Sequence, residues 1–133
     1  MIDKENEVYT AIRTAILEKF PKADVSSMYI RSPAGFPHIS VVQTDSYEPK
    51  ALVDSSLEEK YTTLAFQIDV YSDNETQKKT ECKKIMQIVD ETLRAKNFRR
   101  EAMTAVPNIA DDTIYRLTAK YIVTASSDYF YRS

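Results

Sequence analysis

A chain of 133 residues is long enough for one domain with a hydrophobic core of its own, and it is short for two domains. The net charge of −2 predicts no overall attraction to nucleic acid or anionic lipid. One glycine in the whole chain excludes phosphate-binding loops of the P-loop and dinucleotide types, and one cysteine excludes an internal disulfide and a thiolate zinc site.

The chain begins with a predicted helix and a short strand. Apolar residues recur at helical spacing from about Asp3 to Phe20, and Pro21 ends the pattern. A strand near Val25 to Arg31 leads to a turn around Gly35, where the only glycine is expected at a position of positive φ.

Two further strands flank a long connection. Residues His38 to Thr44 and Lys60 to Tyr71 alternate between apolar and polar side chains, which is typical of strands with one buried face. Residues 45–58 between them are polar and contain Pro49, so they predict a long loop. Loops of this length are usually functional or disordered.

A second helix is predicted after the third strand. Ser72 to Glu75 has the pattern of a capping box, and the helix runs to about Lys96. Cys82 lies on its apolar stripe, where we expect a buried thiol with a raised pKa that packs as a small hydrophobe. Asn97 is expected to end the helix in the left-handed conformation.

The last predicted strands are Arg99–Val106 and Thr113–Ala125, and residues 126–133 form a C-terminal tail that either docks or frays. The order is therefore α-β-β-long loop-β-α-β-β. We expect one domain over residues 1–133 of the α+β class, with a single sheet of about five strands and two helices packed on one face.

The residue types used in catalysis occur without the patterns that catalysis needs. His38 is the only histidine, and we expect it to begin a strand because no nucleophile motif accompanies it. Adjacent carboxylates such as Asp90 and Glu91 point apart on a helix and form no acid–base dyad. No loop has the ligand spacing of a calcium or magnesium site. The sequence predicts no enzyme, no catalytic residue and no metal or cofactor site.

Basic residues concentrate between Lys78 and Arg100, where eight basic side chains outnumber three acidic ones. One interpretation is a face that contacts phosphates, which would make the protein a small nucleic-acid-binding α+β domain. The other is a solvated helix face with stabilising ion pairs, which we favour because the whole chain is acidic.

Short motifs spread over nearly the whole chain have a familiar order. They are Phe20-Pro21, Pro33-Ala34-Gly35-Phe36-Pro37-His38, Ile68-Asp69-Val70-Tyr71-Ser72, Gln77-Lys78-Lys79, Cys82-Lys83-Lys84-Ile85-Met86, Val89-Asp90-Glu91, Asn97-Phe98-Arg99-Arg100, Pro107-Asn108, Asp112-Thr113-Ile114-Tyr115-Arg116-Leu117 and Tyr121. In this order the chain resembles the tail-terminator or tail-completion proteins of long-tailed bacteriophages and prophages of Gram-positive hosts, also called tail-to-head joining proteins. These motifs are structural rather than chemical.

The resemblance implies a non-enzymatic domain that forms a ring, usually a hexamer. Such a ring caps the finished tail tube, ends its polymerisation and joins the tail to the head. The implied partners are further copies of the chain, the tail tube protein and a head-completion or connector protein, while DNA passes through the ring without specific binding. Neither a membrane nor a small-molecule substrate is expected. The implied location is the head-proximal end of the virion tail, after assembly in the cytoplasm of the bacterial host.

The resemblance also implies that the long loop lies at a ring face or a subunit contact, and exposed apolar residues in the loop and tail suit that role. The alternatives are that the loop is a simple linker and that the tail packs on its own domain. The candidate interface residues are Tyr47, Lys50, Ala51, Leu52, Val53, Tyr129, Phe130 and Tyr131.

Overall fold

The structure, a computed structural model, describes residues 3–29, 35–47, 61–106, 113–126 and 130–131. The described residues form two helices and six strands. In chain order these are α1 (Glu5–Lys19), β1 (Asp24–Ser26), β2 (His38–Tyr47), β3 (Thr62–Ser72), α2 (Lys78–Arg94), β4 (Arg99–Val106), β5 (Tyr115–Ala125) and β6 (Phe130–Tyr131). The α+β class, the single sheet and the two helices are confirmed.

One mixed sheet contains these strands in the spatial order β1-β2-β3-β5-β4. β1 runs parallel to β2, and the other neighbouring strands are antiparallel. β5 pairs along its whole length with β3 on one side. On its other side it pairs with β4 from Arg116 to Ile122, and then with β6 at Thr124 and Ala125. β1 and β4 are therefore the outer strands of this order.

The two helices pack against each other and against one face of the sheet. Their apolar residues recur every three or four positions, so each helix buries one stripe. Each aliphatic side chain buried in this core contributes roughly 1.5–3 kcal/mol to stability. The core includes Val8, Ile12 and Ile16 of α1, Cys82, Ile85, Met86, Val89 and Leu93 of α2, and Ile39, Val41, Leu64, Phe66, Ile68, Val70, Leu117, Ala119, Tyr121 and Val123 of the strands.

Strand pairing overrides the local sequence pattern at two places. The predicted loop at 45–58 begins three residues later, because β2 continues through a bulge after Gln43 and pairs with β3 as far as Tyr47. The rest of that loop lies outside the described residues. The predicted tail at 126–133 contains β6, which pairs with β5 and makes six strands rather than about five.

Two elements are shorter than predicted because side chains hydrogen-bond to the nearby backbone. β1 ends at Ser26, whose Oγ accepts a hydrogen bond from the N–H of Met28 at 3.0 Å, and part of the predicted strand, residues 30–31, lies outside the described residues. α2 begins at Lys78, since Asn74 Oδ1 accepts the N–H groups of the two residues directly before it.

The predicted backbone chemistry is right at one position and wrong at two. Asn97 has a φ of 70° at the end of α2, as predicted. Gly35 does not have a positive φ, so the backbone there does not require glycine. The capping box predicted at Ser72 to Glu75 does not form, because α2 begins only at Lys78. The Oγ of Ser72 instead accepts the N–H of Asn74 at 3.3 Å and donates to Glu81 Oε1 at 2.8 Å.

Asn97 allows a direct test of this helix ending, because its Nδ2 also donates to the carbonyl of Phe130 at 2.9 Å. Asn97→Ala should lower the free energy of unfolding by about 1–3 kcal/mol, since alanine is strained at positive φ and lacks the amide. Asn97→Gly removes only the hydrogen bond and should cost about 1 kcal/mol or less. Urea denaturation measures both changes. If the two variants lost the same free energy of unfolding, the positive φ would not be what requires asparagine at position 97.

Candidate assembly interface

β4 is the longer of the two outer strands, and the helices leave it uncovered. Seven of its eight residues are exposed, and Val106 alone is partly buried. No described strand pairs with its outer edge. An edge of this kind presents a row of N–H and C=O groups on which another chain can pair.

The features that protect natural edge strands from pairing occur at one end of β4 only. Arg99, Arg100 and Glu101 place charges at its start, next to a bulge between Arg100 and Ala102. From Ala102 to Val106 the strand has neither a charge nor a proline. This uncharged half is therefore the part of β4 that is suited to contact with another molecule.

A cleft of about 340 Å³ lies between α2 and β4. The register of β4 on β5 places Arg100 opposite Tyr121 and Met103 opposite Ala119, so both side chains lie on the helix side of the sheet. Met86 is buried in the cleft, and Met103 is 43% exposed. The lining residues are Lys83, Met86, Gln87, Asp90, Arg100 and Met103. The cleft thus combines two methionines with basic side chains.

Asp90 organises one wall of this cleft. Its Oδ1 accepts a hydrogen bond from the Tyr121 hydroxyl at 2.7 Å, and its Oδ2 accepts one from Arg94 Nε at 2.8 Å. Nη1 of Arg100 lies 3.6 Å from Oδ1. Burial raises the pKa of Asp90, but the bonds from Tyr121 and Arg94 and the charge of Arg100 outweigh burial and lower that pKa. The carboxylate stays ionised and holds Arg100 beside the cleft.

Two predicted interface residues lie on the same face at the same end of the sheet, three strand spacings apart. The register pairs Tyr47 with Thr63, Thr63 with Thr124, and Thr124 with Tyr131, so both tyrosines are on the face away from the helices. Tyr47 is 51% exposed and Tyr131 is 40% exposed. The predicted residues Lys50, Ala51, Leu52, Val53 and Tyr129 lie outside the described residues.

Phe130 packs on its own domain, which is one of the two alternatives left open for the tail. Its ring lies 5.6 Å from the ring of Phe98, and it is partly buried against the core. The Nζ atoms of Lys4 and Lys96 lie 5.5 and 5.6 Å from its centre. The ring of Phe130 is therefore engaged within the chain.

The sheet face away from the helices holds a buried polar cluster that sequence reasoning missed. Asp69 is 1% exposed, and its carboxylate accepts hydrogen bonds from Arg116 Nε at 3.0 Å, from Gln67 Nε2 at 3.1 Å and from Thr118. The strand register places Asp69 beside Thr118 and Tyr71 beside Arg116. A carboxylate within an apolar strand was the available signal, but its partners depend on the register.

The groups with potential reactivity are buried. His38 begins β2, as predicted, and its Nδ1 lies 3.1 Å from an Asp24 carboxylate oxygen. Among the described residues, none forms a hydrogen bond with Nε2 of His38. The predicted burial of the Cys82 thiol is confirmed. Burial, together with the charge of Glu81, raises the pKa of Cys82 to about 12.

Within the described ranges, no three histidine, cysteine, aspartate or glutamate side chains are grouped so that they could hold a metal ion. In the same part of the chain, neither helix has the length and hydrophobicity needed to cross a membrane.

No model of a protein family matches this chain, and no curated protein matches it significantly.

The Asp90 network predicts a particular response to acid. A carboxyl whose pKa is lower in the folded state stabilises the fold above its unfolded pKa of about 3.9, and this stabilisation is lost as pH falls through the folded pKa. Asp90→Asn should cost about 1–3 kcal/mol at pH 7, because charge-assisted hydrogen bonds are lost. Below about pH 4 the difference from the wild type should shrink.

Chemical denaturation at a series of pH values measures this effect. Glu91→Gln is the matched control, since Glu91 is the adjacent exposed carboxylate, and its stability should follow the wild type at every pH. If the difference in free energy of unfolding between Asp90→Asn and the wild type stayed constant from neutral to acidic pH, the lowered pKa of Asp90 would be contradicted.

Proposed function

We propose that this protein is a structural subunit of a bacteriophage tail that assembles with copies of itself into a ring, hexameric by resemblance. The ring would cap the tail tube, end its polymerisation and join the tail to the head connector, with DNA passing through the centre. The short motifs that resemble tail-terminator proteins support this proposal. The α+β fold with one helix layer is in keeping with it.

The observation that carries the proposal is the exposure of β4. An eight-residue strand at the edge of a sheet, exposed on both faces and uncharged from Ala102 to Val106, is a surface that promotes association between chains. A protein that acts by assembly has a reason to keep such an edge. A contact with another copy would cover it.

A ring requires that β4 meet an unlike surface on the next copy. Two copies joined through β4 on both sides would cover both edges and stop at a dimer. When β4 contacts a different surface, each added copy leaves one surface of each kind open, and growth continues until the rotation between copies closes the ring. In a closed ring each β4 and each surface that it contacts is covered, so no further copy can be added.

Contacts with the tube protein and the connector would use other parts of the subunit. Tyr47 and Tyr131 are both exposed on the same face at one end of the sheet. Tyrosine is enriched at protein interfaces because it buries a large ring and retains a hydroxyl for hydrogen bonding. These two residues are therefore the proposed contacts with a stacked neighbour.

The basic segment from 78 to 100 provides the competing function, which is nucleic-acid binding. Five of its eight basic side chains have contacts within the chain: Lys78 with the Thr113 carbonyl, Arg94 and Arg100 with Asp90, Lys96 with the Phe130 ring, and Arg99 with Glu101. These contacts favour a structural interpretation. Nucleic-acid affinity that falls steeply with salt would favour the competing function, and negligible binding at low ionic strength would remove it.

The proposed function predicts the form of phage tails when the protein is absent. A strain that lacks the gene should produce headless tails of abnormal length, and added wild-type protein should form closed rings at one end of the tubes. Electron microscopy measures both. Normal particles from the deletion strain would contradict the proposal.

A variant with two added charges tests the role of β4 in the same assay. Ala102→Lys combined with Thr104→Lys should prevent ring formation, because lysines on an edge strand oppose pairing. Both side chains are exposed. Because residue 102 pairs with Lys120 on β5, thermal unfolding first checks that the variant retains its fold. Thr14→Lys is the control, since it adds charge at an exposed position on α1, and it should cap tubes as the wild type does.

A further inference from the structure

We propose that β4 pairs with the outer edge of β2 in a second copy of this chain, in antiparallel orientation, so that neighbouring sheets join at their edges. The outer edge of β2 is then the unlike surface that β4 meets in the proposed ring, so this inference rests on the proposed function. The supporting observations are a second open edge of the sheet, the strand directions, the alternation of faces and the charges of the two strands.

The sheet has a second open edge on the side opposite β4. β1 pairs with the first three of the ten residues of β2, His38 to Ser40. The chain then leaves this edge, because the carbonyl of Met28 accepts a hydrogen bond from the Ser40 hydroxyl at 2.9 Å on the sheet face that also holds Asp69. No described strand pairs with this side of β2 from Val41 to Tyr47.

β1 offers less to a partner than β2 does. Asp24 donates its N–H to the carbonyl of Pro37, directly before β2, at 2.9 Å, so the backbone groups of the next residue, Val25, point outward. The carbonyl of Val25 already accepts a hydrogen bond from the Tyr9 hydroxyl at 3.0 Å. The open length of this edge therefore belongs to β2.

The strand directions determine how two copies can join. Each neighbouring pair among β2, β3, β5 and β4 is antiparallel, so β2 and β4 run in opposite directions within one copy. A ring whose copies keep their helices on one face of the joined sheets repeats β2 in the same direction in every copy. β4 of one copy is therefore antiparallel to β2 of the next, and the start of β4 lies beside the end of β2.

The two strands match in length and in the alternation of their faces. With Arg99 opposite Tyr47, β4 extends along the open part of β2 and ends where β1 of the neighbour begins. Each strand has one bulge, after Gln43 in β2 and after Arg100 in β4, so the two extra residues offset each other. Side chains that face the helices in one strand then lie beside side chains that face the helices in the other.

The charges of the two strands favour the same orientation. Asp45 is the one charged residue from Val41 to Tyr47, and the register of β2 on β3 places it on the sheet face away from the helices. In the antiparallel register it lies opposite Ala102 of the neighbour, with Arg99 on the diagonal and Lys120 on the strand behind, both on that face. Long side chains reach such diagonal positions, so Asp45 meets two positive charges.

The contacts that these charges make within one chain are weak. Nη2 of Arg99 lies 3.9 Å from Oε1 of Glu101, and both side chains are about half exposed. Oδ1 of Asp45 accepts the N–H of the next residue, Ser46, and Asp45 is exposed. Exposed contacts of this kind contribute little to stability, so the charges are available to a neighbour.

Cysteine cross-linking of the full chain tests the contact. Tyr47→Cys and Arg99→Cys are combined in one chain, and Cys82 remains because it is buried with a raised pKa. A bifunctional thiol reagent about 10 Å long, which spans two strand spacings, should give linked dimers and higher multimers. It cannot join the two positions within one chain, because they lie three strand spacings apart, roughly 14 Å.

Two further cysteine pairs test the orientation, because Val106 lies at the other end of β4. Tyr47→Cys combined with Val106→Cys should give no link, and a link would mean parallel strands and would overturn the inference. A link between Arg99→Cys and Val106→Cys in a mixture of the two single variants would mean that two copies of β4 pair with each other. That result would also overturn the inference.

The outcomes separate this inference from the proposed function. Closed rings in electron micrographs without the link between positions 47 and 99 would overturn the inference and leave the proposed function standing. Linked multimers that never cap tail tubes would support the contact and contradict the proposed function. A chain that stays monomeric and unlinked, both in solution and on tail tubes, would overturn both.

A charge exchange provides a second measurement of the same contact. Arg99→Glu should weaken self-association about fivefold in sedimentation experiments, and adding Asp45→Arg to that variant should restore it. Lys84→Glu is the matched control, because Lys84 is exposed on α2 and lines a groove with Lys19 and Phe20 beside the end of α1, away from β4. The same loss in Lys84→Glu, or no restoration by Asp45→Arg, would contradict a specific pairing.

Discussion

The widths of two helices and of the sheet beneath them determine where this molecule is exposed. An α-helix with its side chains is about 10 Å across and adjacent strands lie about 4.8 Å apart, so two helices side by side cover about four strands. Five strands lie side by side in this sheet, and α1 and α2 pack on β2, β3 and β5, with Val25 of β1 packed against the same core. β4 remains outside that cover. Its exposure and the cleft beside α2 both follow from the same mismatch.

The centre of the opposite face of the sheet is buried by a different means. Hydrogen bonds around the Asp69 carboxylate, with Arg116 as the counter-charge, take the place of an apolar layer. A buried ion pair adds little net stability, because desolvation offsets much of the attraction. A slip of one residue between β3 and β5 would, however, move Asp69 away from Thr118. We infer that the helix face supplies most of the stability, whereas the polar face helps to specify the register on which β4 depends.

Local sequence patterns were sufficient where one element decides its own structure. The periodic helices, the bounds of β4, the positive φ of Asn97 and the burial of Cys82 are examples. Local patterns were insufficient where the structure of a segment depends on a partner that is distant in the sequence. β2 reaches Tyr47 because β3 pairs with it, and β6 exists because β5 offers an edge. The same limit applies to the candidate interface, since the exposure of β4 depends on which strands the helices cover.

Hydrogen exchange measured along β4 tests the account most directly. The amides from Ala102 to Val106 are compared between dilute monomer and assembled protein, with the amides of the buried stripe of α2 as an internal reference. Exchange in β4 should slow by about tenfold or more on assembly, because another copy covers the strand. Assemblies in which these amides exchange as fast as in the monomer would contradict this expectation.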